Sequence, residues 1–453
     1  MLFSLTNPEV AIMMMGIFLF AVLLGFPIAF TLMAMGLGFG YYAYFDPTKM
    51  EHLFDNRIFQ LFVQNTYTVM DNNVLTAVPL FLFMGYLVER AGIVAKLFFA
   101  IRLASHKLPA SMAVAALITC ALFSTATGII GAVVTLMGLL AWPAMVKAGY
   151  DKKFASGIIC SGGCLGILIP PSIMLIVYSV IAQLSPLRLF AAAIFPGLML
   201  AGLYIAYAIF RAWLNPSIAP KPAAEEIPPT AVIMKEVLVS FLPLFSLIIL
   251  VLGTILAGIA TPAEAAAVGA FGSLVLSYFY KTLKWKNFKE SVFLTAKTTA
   301  MIMWLFIGSW TFASVFSYLG GHEVFEHFFK SLNLQPWQFL VITQLIIFLL
   351  GWPLEWTEIL IIFVPIFLPL VEFFGVNPYF FAMLIALNLQ TSFLTPPMAM
   401  SAYYLKGVQS KNVELMQIFS GIMPFLAIVI LAMVLMYLFP GIALWLPETL
   451  FAN

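Results

Sequence analysis

Long, unbroken apolar runs are the feature of this sequence that most limits its fold. The first run extends from Ala11 to Phe45 with almost no polar break. A membrane crossing takes about 20 residues, so this run makes two spans that turn near Gly25-Phe26-Pro27. It is too long for the apolar core of a cleavable signal peptide, and it lacks the alternation of an outer-membrane strand. The runs predict an all-α polytopic protein with the lipid bilayer as its solvent.

The composition excludes two other classes of protein. Hydrophobic residues make up 63% and charged residues 9% of the 453 residues, whereas soluble domains average roughly 45–50% and 25%. No soluble core could bury that much apolar surface. The net charge of +2 offers no basic surface, so nucleic acid is not an expected partner. The three cysteines lie in apolar runs and predict small buried side chains rather than a disulfide or metal site.

A polar, proline-rich linker at 215–229 divides the chain nearly in half. The apolar segments that precede it lie near 11–45, 74–89, 110–126, 129–146, 155–168, 172–187 and 189–210. Those that follow it lie near 237–258, 263–280, 292–319, 338–351, 358–375, 379–394, 398–405 and 416–440. Several are too short to cross about 30 Å of hydrocarbon. These short segments predict broken helices and re-entrant hairpins.

The two halves repeat one pattern of glycines and prolines. The matching pairs are Gly85 with Gly308 and Gly128 with Gly351, 223 apart (308 − 85 and 351 − 128), and Pro143 with Pro369 and Pro170-Pro171 with Pro396-Pro397, 226 apart (369 − 143 and 396 − 170). Each half therefore predicts a span that ends at a glycine, a hairpin broken at a glycine, and a helix broken at a double proline. Chance alignment of common residues is the alternative.

Basic loops predict the orientation of the chain. The basic stretches at 147–153, 211–235, 281–289 and 406–411 fall on one side, which the positive-inside rule makes cytoplasmic. The run 110–146 has basic residues at both ends, so it predicts a hairpin that enters from the cytoplasm with its tip near Thr127-Gly128. The run 338–375 has ends poor in Lys and Arg and enters from outside. The halves then form an inverted repeat with both termini outside.

The double prolines predict a binding site. A proline pair in an apolar run ends one helix and can begin another, which leaves backbone groups unpaired near the middle of the bilayer. Such groups are tolerated only where protein or a water-filled cavity satisfies them. Carbonyl and hydroxyl oxygens suit a hard cation such as Na⁺, and a helix N-terminus suits a carboxylate. A proline kink that only shapes packing is the alternative.

Polar residues and glycines at the breaks, at the hairpin tips and on one span make up the predicted site. The candidate substrate-binding residues are Thr127, Gly128, Ser172, Glu355, Thr357, Thr391 and Pro397. The candidate Na⁺ ligands are Ser124, Thr125, Gly162, Gly163, Gly166, Pro170, Gly308, Thr311, Gly351, Ser392 and Thr395. Glu355 is preferred over the neighbouring Glu358, because carboxylates in membrane segments are functional by default. For Gly308 and Thr311, close helix packing is the alternative.

No catalytic motif accompanies these residues. His322 and His327 are five apart and miss a common helix face, and no phosphate-binding loop occurs, so the chain is not expected to be an enzyme. The arginines all lie at segment ends. A bound anion would therefore have to be held by helix termini, hydroxyls and cations.

Several strings together resemble the large membrane subunit of tripartite ATP-independent periplasmic (TRAP) transporters over essentially the whole chain. They are GFPIAF at 25–30, VPLFLFMG at 78–85, GILIPPS at 166–172, ATPAEAAAVG at 260–269 and LTPP at 394–397. The resemblance implies a Na⁺-coupled secondary transporter of elevator type in the bacterial inner membrane. It also implies two partners, a small four-helix membrane subunit, expected here as a separate chain, and a periplasmic solute-binding protein.

The first hairpin tip departs from the pattern of that family. Many members carry Ser-Gly-Ser-Ser there, and this chain has Thr127-Gly128-Ile129-Ile130. Any Na⁺ or substrate role carried by those serines is therefore in doubt. The sequence also resembles the branch associated with 2-oxo acids, hydroxy acids and related small carboxylates. Proton coupling and, from another class, an anion channel are the alternatives.

The resemblance and the repeat together divide the chain into six parts. Scaffold spans are predicted at 1–107 and 237–291, and the two halves of a moving transport domain at 108–187 and 292–405. A span with the cytoplasmic linker occupies 188–236, and a last span occupies 406–453.

Overall fold

A computed structural model of the chain describes residues 5–48, 50–220, 229–409 and 412–451. Within these ranges the regular structure is helical and no strand occurs, which confirms the all-α prediction. Seven of the described helices are long and apolar enough to cross a membrane, or eight if one bent pair counts as a single span. Most of the predicted linker, residues 221–228, lies outside the described ranges, as do Ser410 and Lys411 of the last basic loop.

Before the linker, the described residues form ten α-helices. They are α1 (Asn7–Leu23), α2 (Ile28–Ala43), α3 (Arg57–Met70), α4 (Ala77–Arg90), α5 (Ile93–Ala104), α6 (Ser111–Thr127), α7 (Ile130–Lys147), α8 (Lys152–Cys164), α9 (Ile173–Ala182) and α10 (Pro186–Leu214). The pair α6 and α7 is the first predicted hairpin. The pair α8 and α9 is the first predicted broken helix.

After the linker, the described residues form eleven α-helices. They are α11 (Thr230–Leu256), α12 (Pro262–Phe279), α13 (Trp285–Tyr318), α14 (Gly321–Ser331), α15 (Pro336–Leu350), α16 (Trp356–Glu358), α17 (Val364–Phe373), α18 (Pro378–Leu394), α19 (Met400–Val408), α20 (Leu415–Leu438) and α21 (Gly441–Leu450). The second hairpin consists of α15 and an arm made of α16, a π-helical turn at Ile359–Phe363, and α17. The second broken helix is α18 with α19.

The prediction that a span ends at Gly85 and at Gly308 is wrong, because both glycines lie inside their helices, α4 and α13. The spans end further on, at two bends that the sequence did not predict. A left-handed glycine, Gly92 (φ 67°), separates α4 from α5, and Gly320 (φ 80°) separates α13 from α14, 228 residues later (320 − 92). Only glycine adopts this conformation without steric cost. The chain bends by 65° between α4 and α5. Each half thus places a short helix between a span and its hairpin.

The outer helices pair across the two halves. α2 of the first half packs along α13 of the second, and α12 of the second half packs along α4 of the first. Glycines permit the close approach, since a methyl group on Gly36 would lie 3.1 Å from the backbone nitrogen of Phe312, and one on Gly308 would lie 2.7 Å from the carbonyl oxygen of Ala29. Small residues of this kind are the usual means of tight helix packing in lipid.

Candidate binding site at the proline breaks

The first break separates the end of α8 from the start of α9. After Cys164 the backbone continues as a 3₁₀ turn (Leu165–Ile167) and passes through Pro170-Pro171. Ser172 then begins α9, because its hydroxyl accepts the Leu175 N–H at 3.4 Å. The same hydroxyl donates to the carbonyl of Ile167 on the other side of the prolines. The buried hydroxyl of Ser172 therefore forms hydrogen bonds on both sides of the break. Its predicted substrate role stays a prediction.

The tip of the first hairpin lies directly on this break. A methyl group on Gly166 would lie 2.7 Å from the Ser124 carbonyl oxygen, and one on Gly162 would lie 3.0 Å from Cys120. Gly128 ends α6 in the left-handed conformation (φ 62°) and faces the side chain of Ile173, the first residue of α9. Five predicted residues, Ser124, Thr127, Gly128, Gly162 and Gly166, are thus brought together, and Gly163 faces Val134 on the other arm of the hairpin.

The second half repeats this arrangement. α18 ends at Leu394, Pro396-Pro397 follows, and the Ser401 hydroxyl of α19 donates back to the Phe393 carbonyl at 2.6 Å. Gly351, at the tip of the second hairpin, lies against the side chain of Ser392, and a methyl group there would be 3.2 Å from the Ser392 Cβ atom. Thr391 donates to the Asn388 carbonyl at 2.6 Å, so its hydroxyl hydrogen is already used within α18.

The two breaks belong to one cluster. α18 contacts the 3₁₀ turn of the first break and also α9. The second arm of each hairpin packs on the half-helix of the other repeat, α7 on α19 and α17 on α9. A methyl group on Gly131 of α7 would lie 3.0 Å from the Tyr404 ring of α19. The Gln409 side chain donates to the Gly138 carbonyl of α7 at 2.7 Å. The halves interlock at the breaks.

Polar atoms without partners line this cluster. The hydroxyls of Thr127 and Ser392 are buried and make no hydrogen bond, with 2% and 5% of these residues exposed. The hydroxyl of Thr395, which begins the second break, is in the same condition, as is the side-chain amide of Gln390. Buried polar groups of this kind cost free energy unless something binds them. Their oxygens are the donor type that a hard cation or a hydroxylated anion would use.

Two predicted residues lie apart from the breaks. Gly308 packs on the Ala29 carbonyl of α2, and Thr311 donates to the Ile307 carbonyl at 2.8 Å on its own helix. The neighbour of Gly308 behaves differently, since the Ser309 hydroxyl donates to the Ile361 carbonyl in the π-helical turn at 3.1 Å. Ser309 belongs to the polar sequence motif Gly308-Ser309-Trp310-Thr311 but was not among the predicted Na⁺ ligands. α13 therefore contacts the outer helix α2 and the second hairpin through adjacent residues.

The remaining tip residues occupy different surroundings. Thr125 and Ser124 both donate to the Ala121 carbonyl within α6. Thr357 is buried in α16, and Glu355 is partly exposed at the start of that turn. Pro170 is buried in the first break, and Pro397 is an exposed residue of the second whose carbonyl accepts the Tyr403 hydroxyl at 3.0 Å. The binding roles of these residues stay predictions.

Comparisons with known proteins identify the family of the chain. The family described as "Tripartite ATP-independent periplasmic transporter, DctM component" matches residues 15–442 of the chain. The chain belongs to this family. Membership makes it a transporter permease rather than an enzyme, and a multi-pass protein of the bacterial inner membrane. The family also implies a small membrane subunit and a periplasmic binding protein as partners.

Individual relatives carry the same description. The C4-dicarboxylate TRAP transporter large permease protein DctM of Pseudomonas aeruginosa is 28% identical over 388 residues, which cover 85% of this chain and 88% of that one. The sialic acid TRAP transporter large permease protein SiaM of Vibrio cholerae is 30% identical over 385 residues, 84% of this chain and 87% of that one. The YdaH transporter of Alcanivorax borkumensis has a related fold, with a TM-score of 0.60 at 15% identity over 92% of this chain and 98% of that one.

Proposed function

We propose that this TRAP permease takes up a small carboxylate together with Na⁺. The solute is handed over by the periplasmic binding protein, and a separate four-helix subunit supports the permease in the membrane. The relatives named for C4-dicarboxylates and for sialic acid both handle carboxylates. We favour the smaller, 2-oxo or hydroxy acid type, because the sequence resembles the branch of the family associated with such acids.

One observation carries the Na⁺ coupling. Among the residues that the structure describes, no Arg or Lys side chain is buried, whereas unpartnered hydroxyls are buried at both breaks. An anion cannot enter such surroundings without a compensating charge, because an unpaired charge in a low-dielectric interior costs several kcal/mol. Cations held by the hydroxyl and carbonyl oxygens of the breaks supply that charge. The N-termini of α9 and α19 add partial positive charge beside them.

We further propose that the interlocked hairpins and broken helices move as one body. Na⁺ and solute then stay paired with protein groups throughout the crossing, which avoids exposing a bare charge to hydrocarbon. The fixed scaffold contains α2 with its partner α13, because the backbone contacts at Gly36 and Gly308 hold this pair too closely for sliding. We place α12 and its partner α4 with them, because these two helices also pack along each other. This assignment moves the predicted boundary at 292 to the end of α14.

Reconstituted uptake tests the proposal. Proteoliposomes containing the permease and its small subunit receive the binding protein and labelled succinate, malate, pyruvate, lactate or sialic acid, with and without a Na⁺ gradient. We expect saturable uptake of a small carboxylate that needs both Na⁺ and the binding protein. Uptake driven equally by a proton gradient without Na⁺ would favour the proton-coupled alternative. Unsaturable flux without the binding protein would favour a channel.

A matched pair of variants tests the site. Thr395→Ala removes a buried hydroxyl without a hydrogen-bond partner at the second break. Thr449→Ala removes a hydroxyl from an exposed residue of α21. We expect Thr395→Ala to raise the Na⁺ concentration for half-maximal uptake several-fold, and Thr449→Ala to leave it unchanged. Equal Na⁺ dependence in both variants would remove Thr395 from the cation site and leave a structural kink at the break.

A further inference from the structure

Glu358 is a buried carboxylate without a counter-ion. Its exposed fraction is 7%, and its Oε2 atom makes no hydrogen bond. Its polar neighbours are the Thr357 hydroxyl and the backbone N–H groups of Glu355 and Glu358 itself. Leu354 and the π-helical turn at Ile359–Phe363, all buried and apolar, flank it in the chain. Intramembrane carboxylates in such surroundings are expensive and mark ion or proton pathways.

In the part of the chain that the structure describes, no cation from an element packed on the π-helical turn reaches this carboxylate. The charged group that acts on Glu358 is Glu355, which carries the same sign. The elements packed on the π-helical turn bring few titratable groups: α9 carries Tyr178, and α17 carries Glu372, which is exposed. α13 meets the turn through Ser309, 12 residues beyond its last lysine, Lys297 (309 − 297). Two neighbouring carboxyls without a cation cannot both be ionised in an apolar setting.

The backbone at this point provides a way for the group to change its surroundings. π-Helical turns are uncommon and occur mostly at functional positions inside α-helices. This one directly follows Glu358, and its Ile361 carbonyl is held from outside the hairpin by Ser309 at 3.1 Å. Movement of the second hairpin away from α13 would have to break this hydrogen bond.

From this geometry we propose that Glu358 holds a proton while the second hairpin is closed and exchanges it with water when the hairpin is open. The proton comes from water on the side where the tip is open, neutralises the carboxylate for the crossing, and returns to water on the other side. A proton neutralises this carboxylate without the several oxygen ligands that a metal ion requires. The inference rests on the proposed function only for the coupling of this proton to solute.

Infrared spectroscopy of the purified permease tests the bound proton without any solute. We expect a carboxylic C=O band that shifts in D₂O at neutral pH in the wild type and in Glu372→Gln, whose carboxylate is exposed on the same arm. We expect Glu358→Gln to lose this band, and Gln keeps the size of the side chain. Absence of the band from the wild type, or its full retention in Glu358→Gln, would overturn the proposal. The wild-type result stands even where the variant fails to fold.

Proteoliposomes with a trapped pH-sensitive dye test the coupling. The solutes are labelled succinate, pyruvate and lactate, under a Na⁺ gradient with the membrane potential clamped. We expect uptake by the wild type and by Glu372→Gln to acidify the lumen, and Glu358→Gln to lose the acidification and the pH dependence of uptake. Acidification that persists in Glu358→Gln overturns the coupling. Failure of every solute to enter the wild type counts against the proposed function alone, because the infrared result still decides the proton site.

Discussion

Ser392 lies against Gly351 in the second half, and 226 residues before Ser392 (392 − 166) Gly166 lies against Ser124 in the first. Each half therefore joins its hairpin tip to its broken helix through one serine and one glycine. The two residue types have exchanged places, since the tip provides serine in the first half and glycine in the second. The contact is thus conserved between the repeats although neither residue is.

Exchanging the pair should be tolerated where one change alone is not. Gly351→Ser places two hydroxymethyl groups at one point, and overpacking of this kind costs about 1–3 kcal/mol. We expect a lowered melting temperature and weaker Na⁺-dependent uptake. Adding Ser392→Gly reproduces the arrangement of the first half and should restore both. The control is Gly407→Ala, where nothing lies within 4 Å, and failure of the double variant to recover would show that the tip needs glycine for another reason.

Gly308 should affect stability rather than Na⁺ binding. Its methyl group in Gly308→Ala would lie 2.7 Å from the Ala29 carbonyl oxygen, whereas Gly38 on α2 has nothing within 4 Å. We expect thermal unfolding in detergent to show a lower midpoint for Gly308→Ala than for Gly38→Ala. The Na⁺ concentration for half-maximal uptake should be the same in both. A selective rise for Gly308→Ala would support the Na⁺ role that its sequence position predicts.

Cysteine labelling should place Glu51, after α2, and Lys286, at the start of α13, on opposite sides of the membrane. The native Cys120, Cys160 and Cys164 are fully buried, so the wild-type chain provides an unlabelled background. In right-side-out vesicles we expect a charged maleimide to label Glu51→Cys and to leave Lys286→Cys unlabelled until the membrane is permeabilised. Both positions are exposed. Labelling of Lys286→Cys from outside would invert the predicted topology.

Cross-links should separate the fixed scaffold from the moving body. A bifunctional maleimide that joins Phe30→Cys to Trp304→Cys, whose rings contact each other in the wild type, links α2 to α13, and we expect uptake to continue. A disulfide between Ser309→Cys and Ile361→Cys joins α13 to the second hairpin, and we expect uptake to stop until a reductant is added. The opposite pattern would return α13 to the transport domain. Normal turnover with both cross-links would leave no role for an elevator movement.

The sequence predicted the parts of the fold that depend on local chemistry. Pro170-Pro171 and Pro396-Pro397 break helices in any setting, and the apolar runs need a bilayer. The sequence did not predict the short helices α3, α5 and α14, because their polar faces interrupt the apolar runs that indicate spans. Their ends depend on glycine conformation and packing, which spacing alone does not reveal.

The sequence predicted which residues form the site but not which neighbouring helix each of them faces. Spacing matched Gly85 with Gly308, yet Gly85 faces the backbone of Thr127 in the first hairpin, and Gly308 faces α2. A rotation of one residue along the helix separates these outcomes, and only tertiary packing decides it. Ser309 could have been found by asking which neighbour of Gly308 points the other way. The burial of Glu358 follows from the path of the π-helical turn, which no sequence signal announced.

The pairing of α2 with α13 also affects how the protein is made. Gly36 and its contact Thr311 are 275 residues apart (311 − 36), so at about 5–20 residues per second the ribosome takes roughly 14–55 s to supply the second after the first. During that interval the glycine face of α2 has lipid or a chaperone as its neighbour. Biogenesis of the scaffold therefore finishes late, and membrane quality control has tens of seconds in which to act on an unfinished first half.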